Sequence, residues 1–114
     1  MTILVCLGDT PDTWWQAANP IGSRVLECAE TLAADEDTRN AISQGRVHQA
    51  LTFDSIEPPL RERVWQAVEE AARQVAGERP GADAWSDRWS EHVSELAREM
   101  EARRREPDRP GAWP

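Results

Sequence analysis

Cys6, Cys28, His48 and His92 are the side chains best suited to hold a soft divalent metal, since two thiolates and two imidazoles make a tetrahedral zinc set. Their spacing argues against that use. No two of them fall within the short separations of a zinc motif, and no His-Glu-x-x-His helix offers a catalytic alternative. Cys6 and Cys28 lie in apolar stretches, where a thiol serves as a small hydrophobe. His92 adjoins Val93 on the inward side of a helical pattern, the place of an interior or boundary histidine. His48 could act as a base beside a carboxylate, but nothing in the sequence points to a nucleophile next to it. We therefore expect no metal and no cofactor, and catalysis is the less favoured reading.

Positioning these residues falls to a few short elements. Ile3, Leu4, Val5, Cys6 and Leu7 form an apolar run of strand formers stopped by Gly8 and Asp9, which predicts one short, buried N-terminal strand. Its neighbour is either residues 47–53, which could equally finish a helix, or the same strand of a second copy across a dimer. Thr10 ahead of Pro11 and Asp12 supplies a cap oxygen, a proline suited to a first turn and a carboxylate near the positive helix end, predicting a helix over residues 11–18. Asn19 and Pro20 repeat that signal for a second helix, with Ile21, Val25, Cys28, Ala29 and Leu32 inward and an end near Ala34. Asp35 or Asp37 can cap a third, short helix ending at Gly45, with Ala41 and Ile42 facing in.

The clearest periodicity follows Pro58 and Pro59. Leu60, Val64, Val68, Ala71, Ala72 and Val75 trace one face, while Arg61, Glu62, Glu69, Glu70 and Arg73 fall mainly on others, and Gly77 ends the helix. Pro80 and Gly81 mark a connection, after which Asp83 can cap a last helix striped with Trp85, Trp89, His92 or Val93, Leu96 and Met100. That helix should fray where Arg103, Arg104 and Arg105 meet Pro107. The fold class is mainly α: a compact bundle of about four or five helices with one short strand. A chain of 114 residues has room for one core, so residues 1–106 read as a single helical domain and 107–114 as a disordered tail of Pro, Gly and charge.

Two short stretches resemble functional motifs. The run from Ile3 through Gly8, Asp9 and Thr10 resembles the strand and Gly-Asp-Ser opening of the SGNH hydrolases, which implies a nucleophilic role for Thr10; the Asp-x-x-His block of that family does not follow. Phe53-Asp54-Ser55-Ile56 is similar to the Asp-Ser-Leu or Asp-Ser-Ile stretch of acyl and peptidyl carrier proteins. That resemblance implies phosphopantetheine on Ser55 and an acidic surface that meets Arg-rich partner enzymes. No Gly precedes Phe53 at the usual place, and Pro59 falls where the carrier's recognition helix uses its amides. On residue chemistry alone, Asp54, Ser55 and Glu57 form a polar turn with an Asp-x-x-Glu capping pattern.

Six Trp against one Phe and no Tyr need somewhere to go. Trp14 and Trp15 are adjacent and would point about 100 degrees apart on a helix, and Trp65 lies beside the Val64 stripe, so these three are the candidates for a protein contact surface. Trp85 and Trp89 read as core. The net charge of −8 opposes nucleic acid and anionic membranes and favours a partner with a basic surface, or a specific homodimer. No stretch reaches the roughly 20 apolar residues of a membrane span, and two cysteines with no secretory opening suggest the cytoplasm. The expected role is a small acidic, protein-binding factor of the regulatory, adaptor or immunity type.

Overall fold

The computed structural model describes residues 2–8, 13–77 and 84–105. Strand β1 (Thr2–Cys6) lies in the middle of a three-stranded sheet of order β2-β1-β3, with β2 formed by Trp14–Ala18 and β3 by Ala50–Thr52. β1 pairs antiparallel with β2, from Thr2 opposite Ala18 to Cys6 opposite Trp14, and parallel with β3, from Leu4 opposite Ala50 to Cys6 opposite Thr52. β1 is therefore the middle strand, paired on one side from Thr2 to Cys6 and on the other from Leu4 to Cys6, so its neighbours come from within the chain.

Strand β2 replaces the helix expected over residues 11–18, of which Pro11 and Asp12 lie outside the described residues. The reason is the Trp pair itself. A strand sends alternate side chains to opposite faces, so Trp15 and Ala17 go into the core while Trp14 and Gln16 face out. A helix would have left both indoles partly turned to water, and the tertiary pairing with β1 outweighs the local cap signal.

Helix α1 (Asn19–Leu32) packs across the sheet so closely that a Cβ on Gly22 would stand 2.6 Å from Ile3 Cβ. Ile21, Val25, Leu26, Cys28 and Ala29 are buried, but Leu32, expected to face in, stands 37 % exposed where the helix ends. Helix α2 (Glu36–His48) is capped by Asp35, whose carboxylate accepts from the Thr38 amide at 3.2 Å. It runs past the stop expected at Gly45. That glycine instead permits close approach to β3, since a Cβ there would meet Leu51 Cδ1 at 2.8 Å. The turn comes at Gln49, in the left-handed region at φ 61°, and both readings of residues 47–53 are realised in part: helix through His48, strand from Ala50.

A 3-10 turn (Phe53–Ser55) leads into α3 (Pro58–Gly77), and α4 (Ala84–Arg105) returns along it. α3 is the central element, in contact with α1, α2 and α4, which widens its buried arc beyond one stripe. Val64, Val68, Ala71, Ala72 and Val75 are buried as expected, joined by Trp65, Ala67 and Glu69. Glu69 was expected on a wet face; it is 2 % exposed and is neutralised by Arg73, whose Nη2 lies 2.7 Å from Oε2 and also reaches toward Glu101 at 3.8 Å. On α4, Val93, Leu96, Ala97 and Met100 close the core. The architecture is a compact, mainly helical fold with, among the described residues, four α-helices and a short mixed sheet. The cap at Asp83, the connection through Pro80 and Gly81, the Trp85 side chain and the tail from residue 107 lie outside the described residues.

Candidate functional site

The four metal-capable side chains are dispersed. Cys6 is 5 % exposed in β1, and burial pushes its thiol up from the ordinary range, against a lowering hydrogen bond with Thr52 and with a smaller rise from the Asp54 charge. Cys28 sits in α1 with Sγ 3.8 Å from Gln74 Oε1 of α3. His48 is exposed at the end of α2 and its Nε2 pairs with Gln44 Oε1 at 3.2 Å, one turn back on its own helix. Among the described residues no group of three His, Cys, Asp or Glu is arranged to hold a metal ion.

His92 has a more connected place than its sequence context suggested. Its Nε2 lies 2.6 Å from the Gln16 carbonyl, and because a carbonyl only accepts, Nε2 carries the proton. Nδ1 faces Glu95 Oε2 at 3.5 Å. The ring stacks on Trp15 with centroids 4.9 Å apart and planes 23° apart, while Trp15 Nε1 donates to the His92 carbonyl at 3.1 Å. In the antiparallel ladder with β1, Trp15 and Ala17 turn their backbone groups inward and Gln16 turns its own outward. The imidazole thus covers part of β2's outer edge. Sequence reasoning missed this junction because it joins residues 76 apart, and period alone reports which way a residue faces, not what it meets.

The three Trp residues singled out from the sequence separate. Trp65 is 4 % exposed and packs on Phe53, with ring centroids 4.9 Å apart. Trp15 is 8 % exposed in the His92 junction. Trp14 is 42 % exposed, with Nε1 donating to the Gly8 carbonyl at 3.2 Å, so the indole is fixed at one corner and open elsewhere. Trp89 is half-buried against the core.

Ser55 is exposed in the turn before α3, and its hydroxyl donates to the Thr52 carbonyl at 2.8 Å. Arg61 folds back from the first turn of α3, its Nε donating to the Ile56 carbonyl at 3.1 Å and Nη2 reaching the Asp54 carbonyl at 3.5 Å. These bonds tie down the Asp54–Glu57 turn as a local polar structure. Thr10 and Asp9, the residues of the hydrolase resemblance, lie outside the described residues. No helix among the described residues is long and apolar enough to cross a membrane. The chain matches no known protein family, no curated protein and no solved structure.

Proposed function

We propose that this protein is a small acidic binding factor, of the regulatory, adaptor or immunity type, that recognises a protein with a basic surface. The observation that carries this reading is Trp14. It is a large, rigid, amphipathic side chain held by one hydrogen bond on the outward face of an edge strand, in a chain whose net charge is −8. An anchored indole loses little conformational entropy on binding, and the net negative charge of the chain would supply attraction to a basic partner at a distance. A homodimer through the same face is the alternative, and salt separates the two: binding to a basic partner weakens as salt rises, whereas like-charged copies associate more readily once screened.

The test is affinity capture with the wild-type chain and with Trp14→Ala, in low and high salt, together with sedimentation of the protein alone. The expected result is a basic protein, retained at low salt, whose affinity falls by about thirtyfold on Trp14→Ala, the scale of a contact hot spot. Salt-strengthened sedimentation as a dimer, abolished by Trp14→Ala, would favour self-association. Capture of a basic protein with undiminished affinity by Trp14→Ala would remove Trp14 from the contact. Covalent modification of Ser55 by phosphopantetheine in the same cells would favour the carrier reading instead.

A further inference from the structure

The two outer edges of the sheet are closed to different degrees. The Leu4 amide donates to the Gln49 carbonyl at 3.0 Å, so Leu4 and Cys6 turn their backbone groups to β3 while Ile3 and Val5 turn theirs to β2. By the same alternation Leu51 faces β1 and Thr52 turns its carbonyl to the outer edge of β3. The Ser55 hydroxyl takes up that carbonyl at 2.8 Å, and α2 backs the strand through the close approach of Gly45 to Leu51. On the other side, the Leu7 amide extends the inward pattern by donating to the Thr13 carbonyl at 3.2 Å, which leaves the backbone groups of Trp14 and Gln16 turned outward. His92 takes up the Gln16 carbonyl. The Trp14 N–H and C=O and the Gln16 N–H meet no partner among the described residues.

Outward donors and acceptors on an edge strand are a template for another extended chain. This template is short, because His92 closes it at the Gln16 carbonyl. The side chains beside it add to what the backbone offers. Trp14 and Gln16 are both exposed and stand on the sheet face opposite to Trp15 and Ala17, which are buried. A residue paired with Trp14 would put its own side chain on that same face, within reach of the indole. Backbone pairing thus sets the register, and the indole supplies the large contact area. A second copy could offer the same geometry, but it would bring one net charge of −8 against another. A basic segment is attracted instead.

We infer that an extended, basic segment of the protein partner adds to the outer edge of β2, bonding the Trp14 N–H and C=O and the Gln16 N–H and covering the Trp14 indole. This inference rests on the reading of Trp14 as the contact residue proposed above.

The probe is the pentapeptide acetyl-Arg-Thr-Val-Thr-Arg-amide, titrated at low salt into the isotopically labelled full chain. Saturable shifts of the Trp14 and Gln16 amides and slower exchange of both are expected, with Leu51 of β3 unmoved. The same peptide N-methylated at both threonines and the valine can donate from neither edge at its centre, and should bind about fivefold or more weakly. Replacing its two arginines by glutamates should weaken it by about threefold or more, a difference that closes at high salt. Gln16→Pro removes one edge donor at a position where an outward amide makes proline tolerable, and should weaken the peptide by about fivefold or more; Gln16→Ala should stay within about twofold. Equal binding of the N-methylated peptide overturns strand addition, whether or not Gln16→Pro folds, because the protein itself is unchanged in that comparison. Movement of the indole signal alone, or wild-type binding by a folded Gln16→Pro, overturns it as well. Equal binding of the glutamate peptide overturns the basic occupant, and shifts of the same amides on raising protein concentration without peptide make a second copy the occupant. The N-methyl comparison involves no cellular partner, so its failure leaves Trp14 standing as a contact residue, and failure to capture a basic protein leaves the strand addition standing.

Discussion

The two ends of α1 are built on opposite plans. At the start of the helix, groups from distant parts of the chain meet: Gly22 lets α1 settle onto Ile3, and His92 of α4 stacks on Trp15 and donates to Gln16. At its end, an open cleft lies beside Ala33, Ala34 and Ala67, Leu32 is 37 % exposed, and the charged side chains at the cleft, Arg63 and Glu70, pair with Asp35 and Arg73. The first arrangement fixes the register of a small sheet that, with three short strands, would not stand alone. The second includes the Asp35 cap of α2 and the Asp35–Arg63 pair, but it leaves the helix end incompletely covered. A domain of this size has one core to spend on stability, so the place where packing is left incomplete is the place to look for contact with something else.

The largest effect tests what both ends share. Val68 is fully buried in the middle of α3. Val68→Asp would place an unpaired carboxylate in the core, at a cost of at least about 3 kcal/mol, and cooperative unfolding in urea should be lost. Retention of a sharp transition at the wild-type midpoint would mean that α3 is not the packing centre.

Next comes the start of α1. Gly22→Ala puts a methyl group 2.6 Å from Ile3 Cβ, a contact that cannot be relieved without moving strand or helix, and should cost about 1–3 kcal/mol. Gly77→Ala is the matched control, because nothing lies within 4 Å of a Cβ there. It should be neutral or stabilising by up to about 1 kcal/mol through helix propensity. Equal effects at the two glycines would show that α1 can shift on the sheet and that its close approach carries no constraint.

His92→Ala should fall below that, at about 1–2 kcal/mol, since it removes one hydrogen bond to a sheet-edge carbonyl and one stacking face of Trp15. The loss should appear first as faster amide exchange in β2, with α2 and the cleft unaffected. If exchange rises uniformly over the molecule, the junction acts through global stability and does not guard the strand edge.

How much of this was legible in the sequence follows from what each signal reports. The α3 stripe from Val64 to Val75 was visible because a helix packed on a core repeats its apolar residues regardless of its partner. The same logic misplaced Glu69, because a helix with neighbours on several sides buries more than one stripe, and the number of neighbours is a tertiary fact. β1 was legible from Ile3 to Leu7, yet its partner β2 was hidden behind a Thr-Pro-Asp signal that locally favours a helix. The surplus of Trp pointed at Trp14, Trp15 and Trp65 together, but only pairing with β1 decides that Trp14 faces out and Trp15 in. The cleft left no trace at all, since Ala33, Ala34 and Ala67 are unremarkable residues whose meaning lies in what fails to cover them.

The smallest effect concerns the electrostatics of the cleft end, where Asp35 caps α2 and pairs with Arg63. Its carboxyl is held below the usual carboxylate range, first by the Thr38 hydroxyl, against desolvation as the next-largest influence, and with smaller lowering contributions from the Thr38 amide and the Arg63 guanidinium. A carboxylate whose folded pKa is depressed contributes stability that is fully present above the unfolded value of about 3.9 and is lost as pH falls through the lower folded value. Asp35→Asn keeps an oxygen that can accept from the Thr38 amide but removes the charge, so it isolates the ionic part from the cap. The wild type should therefore melt slightly above Asp35→Asn at pH 7, by a margin that stays flat down to about pH 5 and closes below about pH 3. Because the Arg63 side chain is half exposed and that of Asp35 one-third exposed, the margin should also shrink in high salt. A margin that persists at pH 2.5, or that ignores salt, would mean that Asp35 acts through cap geometry alone and that the cleft rim carries no tunable charge.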